Sequence, residues 1–479
     1  MRILLTTHGF PPESIGGVEL SVRELALGLV RRGHDVLVAS GTLGRSSKPE
    51  CAEMKRETAG EPGSARVAVV RIARPDLYFD HWHKSLSAAA SRAFRDLLLE
   101  FRPEVVHVHH WLRLSRDLVL TAAREGIPSV VSLHDAWASC PIVFRVRPDT
   151  REACDVPVGP HPCIACAGRV PPRTPWVPTE SAYMMLAERQ RDIARELELA
   201  RTVIVPSAAH GRALERMLGR DELSLGVEVL APLTSQVAMQ TERTTVPATP
   251  GTLQLVSWSQ IARHKGVDLL IDAFLAARAE LRGEVLLELD LHGAAADPAF
   301  EAQERARTAN FPVRWRGAFQ ASELEQAIDR RAQVFIHGTR AQESYGLTVD
   351  EAARLGLALL LPDAPVFRER CDGAAQFYTA GSAASLAREI VRFARDGAAL
   401  AQAREAAAHW VRGLPSNTAI LAGHERVYAK AVALGAPKVP VAAWFDERMS
   451  TQATLLWDGA LARQDAGALG FAPPPSNGP

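Results

Sequence analysis

No uninterrupted apolar run of about 18 residues occurs anywhere in the 479-residue sequence, so no transmembrane helix is expected. The opening stretch, Met1-Arg-Ile-Leu-Leu-Thr-Thr-His-Gly, is too briefly apolar for a secretory signal and lacks a small-residue cleavage site. A cytoplasmic protein is expected, with peripheral contact at the inner face of the membrane left open. Net charge is missing too: 55 Lys plus Arg balance 55 Asp plus Glu. No global field draws the chain to nucleic acid, which is not an expected partner. Cysteine is sparse, with six residues. In a cytoplasmic chain that argues for free thiols or a metal rather than a disulfide framework. Also absent is G-x-G-x-x-G, the fingerprint of dinucleotide-binding β–α–β units. What remains is an ordinary globular balance of 47% apolar and 23% charged residues, on a chain long enough for two domains.

The first half alternates apolar strands with helical patterns. Arg2 to Thr6 reads as a buried strand, followed by a loop ending in Gly16 and Gly17 and a helix with Val18, Val22, Leu25 and Leu29 at helical spacing. Further strands are read at 34–39, 67–72, 105–111, 129–133, 202–205 and 227–230, with residues 42–66 taken as a polar loop. Asp80-His-Trp-His83 precedes a helix over about 84–101, and another helix is read over about 180–200. His107 and His109 share one face of their strand. His134 follows the strand at 129–133, with Asp135 placed to orient its imidazole. Cys140, Cys154, Cys163 and Cys166 then fall in a Pro-rich stretch of little periodicity. A loop of that length inside a compact domain needs something to hold it. The two-residue spacing of Cys163 and Cys166 fits a structural Zn²⁺ held by the four thiolates. Plain reduced cysteines, an iron–sulfur site or a redox pair are the alternatives. The stretch 241–250 has linker composition.

The second half starts a fresh sheet at 253–257 and runs through Arg263, Lys265 and Gly266 into a helix from Val267. Strands follow at 284–291 and 313–317, then a helix over 322–331. Val334 to Ile336 is a short buried strand before a polar loop with Glu343, and a helical pattern starts near Gly346. The first turn of such a helix presents unpaired N–H groups and the positive end of the dipole, a ready place for phosphate. Gly346 lets the backbone come close to a ligand. Glu343 and Glu351, seven residues apart in between, could face one bound molecule or form a solvated pair on a surface helix.

In this order, over roughly residues 1–430, these stretches resemble the retaining family-4 glycosyltransferases, carried by the E-x7-E pattern of Glu343 and Glu351, the lysine–glycine pair Lys265-Gly266, the glycine loop and the histidine at 134. The resemblance implies an α/β GT-B architecture, two doubly wound Rossmann-like domains facing across a cleft. Residues 1–240 form the acceptor-side domain with a cysteine-rich insert at 136–178. The linker 241–250 follows, then a donor-nucleotide domain at 251–425 and a crossover helix with a disordered tail at 426–479. The implied reaction moves a sugar from a nucleoside diphosphate sugar to a hydroxyl, with retention, in cell-surface polysaccharide or glycoconjugate synthesis. The acceptor is a glycan or lipid-linked molecule, and no catalytic metal is expected. His134 and Glu343 are placed at the reacting sugar. The donor is bound by Gly16, Gly17, Arg263, Lys265, Tyr345, Gly346, Leu347, Thr348 and Glu351. The arginine that many members carry five residues before the lysine is Gln260 here, and Arg263 is the substitute charge. Two rival readings are a sugar-nucleotide epimerase of the same fold and a non-catalytic sugar-nucleotide-binding scaffold.

Overall fold

Two largely parallel sheets carry the molecule, and their central strands are buried on both faces. The computed structural model describes residues 1–48, 51–60, 64–76, 86–167, 179–219, 227–234, 251–444 and 448–449. Asp80-His-Trp-His83, the linker at 241–250, the last part of the insert at 168–178 and the tail from 450 lie outside them. The first sheet comprises β1 (Arg2–Thr7), β2 (Asp35–Gly41), β3 (Glu53–Ala59), β4 (Val67–Ala73), β5 (Val105–Val108), β6 (Ser129–Ser132), β7 (Thr202–Val205) and β8 (Val227–Val229). Their spatial order is β3-β4-β2-β1-β5-β6-β7-β8. The second sheet comprises β9 (Thr252–Trp258), β10 (Leu286–His292), β11 (Val313–Gly317), β12 (Val334–Ile336), β13 (Ala358–Pro362) and β14 (Gln376–Tyr378), ordered β11-β10-β9-β12-β13-β14.

The helices of the first half are α1 (Gly17–Arg31), α2 (Ala88–Phe101), α3 (Leu118–Arg124), α4 (Pro160–Ala167), α5 (Thr179–Leu199) and α6 (Ala208–Leu218). Those of the second are α7 (Val267–Leu281), α8 (Pro298–Thr308), α9 (Leu324–Ala327), α10 (Leu347–Arg354), α11 (Pro365–Cys371), α12 (Ala383–Arg395), α13 (Gly397–Arg412) and α14 (Asn417–Leu434). In each sheet the winding reverses at one strand. β1 is flanked by β2 and β5, and β9 by β10 and β12. Such reversal points leave a crevice beyond the carboxyl ends of the strands, where ligands bind in open α/β sheets.

Three expectations from sequence need correction. The supposed loop at 42–66 contains β3, an edge strand antiparallel to β4 from Glu53 opposite Ala73 to Ala59 opposite Val67. Its exposed Lys55 and Arg56 and half-buried Glu57 hide the apolar alternation that marks a strand, and such charge protects a sheet edge from further pairing. The helix expected over 322–331 stops at Ala327, because the Asp329 carboxylate takes the Arg331 amide at 2.9 Å and folds the chain into a turn. Cys163 and Cys166 stand on α4 rather than in a loop. Three residues apart on a helix, they share a face.

The last long helix, α14, packs on the first domain although it follows the second. Its Ile420, Leu421, Val427, Tyr428 and Ala431 share one core with Val22, Leu25 and Leu29 of α1. At its rim Glu425 receives the Arg32 fork through two bonds of 2.7 Å, and it meets His34 at 2.9 Å. These partners hold the Glu425 carboxyl down at about 2.

Candidate active site

Lys265 and Glu343 come from different loops, and two glycines bring those loops together. Gly266 has φ +68, and a Cβ there would lie 1.8 Å from the Gly338 carbonyl oxygen, so only glycine permits the approach. The loops are stitched by the amides of Arg340 and Ala341, which donate to the His264 carbonyl at 2.9 and 3.2 Å. The Lys265 ammonium then donates to Glu343 Oε1 at 2.7 Å. Burial alone would raise the Glu343 pKa, but the charges of Lys265 and His337 outweigh it and hold the carboxyl at about 2. The pair is partly buried and ionised.

Gly346, with φ +87, caps α10 and turns the chain into it. A Cβ at this position would press to 2.8 Å from the Phe367 ring, so the glycine is required by the turn and by Phe367. The amides of Leu347 and Thr348 open the helix behind it. This segment is fixed from below by Arg370, whose guanidinium stacks 3.4 Å over the Tyr345 ring, donates to the Tyr345 carbonyl at 2.6 Å and pairs with Asp350. Glu351, one residue further along α10, receives the Trp258 indole N–H at 2.8 Å. Burial pushes its carboxyl up to about 7. Of the two glutamates, one is held as an anion and the other is poised to share a proton.

The first domain faces this loop with its own helix start. Gly16 caps α1, and a Cβ built on Gly17 would sit 3.5 Å from the Leu347 side chain. The amino ends of α1 and α10, from opposite domains, therefore confront each other, and both direct positive dipole ends into the cleft. Glu19, in the first turn of α1, is tied to Ser14 at 2.6 Å and His8 at 3.2 Å. The domains are latched beside this point. Ser207 donates to the Ser344 carbonyl at 2.8 Å, and the Glu369 carboxylate accepts from the amides of Ala208 and Ala209 at 2.8 and 2.6 Å.

His134 lies where the chain leaves β6, and its Nε2 shares a 2.8 Å hydrogen bond with His109 Nδ1. Asp135 does not orient it as expected. That carboxylate accepts the Trp137 amide at 2.8 Å and stands 3.9 Å from His110. Burial and the nearby imidazoles of His424, His8 and His210 push His134 down to about 3, so it is neutral. Behind it, His107 bridges Tyr428 of α14 and Ser132, both at 2.8 Å. Nothing in the sequence linked His109 or Tyr428 to His134. Alternation along β5 marks His107 and His109 as facing one way, but their partners come from elsewhere in the chain.

Arg263 takes a different path from the one expected. Its guanidinium lies 4.4 Å over the Phe300 ring of α8 and reaches Gln303 at 3.5 Å, while Lys265 turns to Glu343. The insert carries Cys140, Cys154, Cys163 and Cys166 as free thiols. Burial raises the Cys166 pKa, with Cys154, Cys163, Cys140 and Asp149 adding to it. Among the described residues, no group of three or more His, Cys, Asp or Glu is disposed to hold a metal ion. Arg145 visibly organises the insert, donating to the carbonyls of Ser139 at 2.7 Å, Cys154 at 3.1 Å and Val156 at 2.5 Å. The insert crosses to the second domain as well, its Phe144 ring stacked on His264 at 3.7 Å. No helix among the described residues is long and apolar enough to cross a membrane.

Residues 15–225 match the model described as Glycosyltransferase Family 4, and residues 252–396 the one described as Glycosyl transferases group 1. The glycogen synthase of Mycobacterium tuberculosis is 28% identical over 145 residues, 28% of this chain and 33% of that protein, so the aligned stretch spans about a third of the curated relative. Among solved structures, sucrose-phosphate synthase from Thermosynechococcus elongatus superposes with a TM-score of 0.62 at 16% identity, over 90% of this chain and 99% of that one. Anabaena HepE in complex with UDP-glucose gives a TM-score of 0.57 at 15% identity, over 90% and 99%. These likenesses identify the fold as GT-B.

Proposed function

Because the chain carries a family 4 glycosyltransferase domain followed by a group 1 glycosyltransferase domain on a GT-B fold, we propose that it transfers a sugar from a nucleoside diphosphate sugar to a hydroxyl acceptor. The observation that carries this reading is the confrontation of α1 and α10 across the cleft, with the Lys265 ammonium on the adjoining loop. A leaving diphosphate gains negative charge as the sugar departs, and fixed positive ends aimed at that charge stabilise the transition state. The amides at 346–348 and Lys265 hold the diphosphate, with the glycine loop at Gly16 and Gly17 above them. Glu351 accepts from the ribose hydroxyls, and Glu343 from the hydroxyls of the sugar. His134, neutral, packs beside the reacting carbon as a hydrogen-bonding group held in place by His109.

The acceptor oxygen bonds to the anomeric carbon, the bond from that carbon to the diphosphate oxygen breaks, and the hydroxyl proton passes to the released diphosphate. Delivery from the face the leaving group vacates gives retention, and the product belongs to polysaccharide or glycoconjugate synthesis. Binding of UDP-glucose by HepE of Anabaena supports a nucleotide sugar as donor. A thermal-shift panel of nucleoside diphosphate sugars tests the reading. One member should raise the midpoint of the wild type by several degrees and leave Glu343→Ala nearly unmoved; a panel with no stabilising sugar nucleotide would refute it.

A further inference from the structure

We propose that the chamber between the insert, α6 and the loops after β12 and β13 takes the acceptor, and that the acceptor is an amphiphile, a hydroxyl-bearing head on an apolar body. The direction of transfer rests on the reading above; the chemistry of the chamber stands on its walls. Its volume is about 690 Å³. Ala209, Ala213 and Met217 of α6 form one stretch of wall, and Pro362, Pro365 and Val366 form another. The insert supplies a third through Ala153 and Cys154.

Most of the polar side chains that reach the chamber already have partners. Arg145 is engaged by three backbone carbonyls and touches the Met217 sulfur. Arg340 pairs with Asp268 at 2.6 Å, and Asp363 with Arg368 at 2.7 Å. Thr150, Arg151, Glu152, Asp155 and Arg216 also line it and are exposed to solvent. An oligosaccharide threaded along these walls would leave buried hydroxyls without partners, which disfavours it. An apolar body loses only its hydration, which favours entry.

Glu343 belongs both to this chamber and to the ion pair with Lys265. A hydroxyl head seated at Glu343 therefore meets the donor sugar, while the apolar body lies along α6. On the first-domain side the insert and α6 close the chamber together.

Calorimetry on the full chain compares n-octyl β-D-glucopyranoside, below its micelle concentration, with methyl β-D-glucopyranoside. The octyl glycoside should bind at least ten-fold more tightly to the wild type. Ala213→Trp should abolish that preference by filling the chamber. Ala380→Trp, at an exposed position lining the same chamber, should do so without touching a core, and cooperative unfolding of each variant checks its fold. Equal binding of the two glycosides by the wild type would overturn the proposal, as would an octyl preference that survives in a folded Ala380→Trp. The comparison uses no donor. An octyl preference in a protein that takes up no nucleotide sugar would thus keep the chamber and remove the transferase reading.

Discussion

Burial holds the Glu351 carboxyl up at about 7, whereas a glutamate in an unfolded chain titrates near 4.5. The folded state keeps a proton that the unfolded state releases, so the contribution to stability falls as pH rises from about 4.5 to about 7 and is flat above. Glutamine keeps the shape and the acceptor for Trp258 without the charge. Glu351→Gln is accordingly expected to be more stable than the wild type at pH 8, by about 2 kcal/mol after discounting for partial exposure, with the difference gone at pH 4. Denaturation at the two pH values measures it, and an equal offset at both would exclude the charge as its cause. At this scale the sequence was readable wherever a motif fixes spacing. Lys265, Glu343 and Glu351 occupy the cleft because a strand, a turn and a helix start leave them little choice. The partners that set their chemistry were not readable. Trp258 lies 93 residues from Glu351 and His109 lies 25 from His134, and only the sheet order brings them together.

Among the elements, α11 does two tasks with adjacent residues. Glu369 reaches across to the start of α6, and Arg370 turns inward beneath the Tyr345–Gly346 turn. The Arg370 fork satisfies a carbonyl and a carboxylate while its plane lies on the Tyr345 ring, and lysine has neither the fork nor the plane. Arg370→Lys should therefore loosen the turn without removing its charge. We expect about a ten-fold loss of nucleotide-sugar affinity, measured by calorimetry, with the fold intact by circular dichroism. Unchanged affinity would mean that the turn holds its shape without the fork. Buried strands and their alternating helices were legible from apolar runs alone. β3 and α4 were not, since a charged edge strand shows no alternation and a Pro- and Cys-rich insert shows no helical period.

For the whole molecule, alternating strands and helices were legible, and the resemblance implied two doubly wound domains with a crossover helix after 425, but the strand order and the start of α14 at Asn417 were not readable. That helix contributes Tyr428, fully buried, to the core beneath the first sheet and hydrogen-bonds His107 through it. A fragment ending at residue 234 should show this face uncovered, with stronger binding of a hydrophobic dye and a lower unfolding midpoint than the full chain. Adding a synthetic peptide spanning residues 414–437 should restore both. Dye binding no greater than that of the intact protein would show that the first domain is complete without the helix. During synthesis the consequence is temporal. The ribosome delivers α14 only after every strand of the second sheet has emerged, so the half of the protein made first waits for the half made last to seal it.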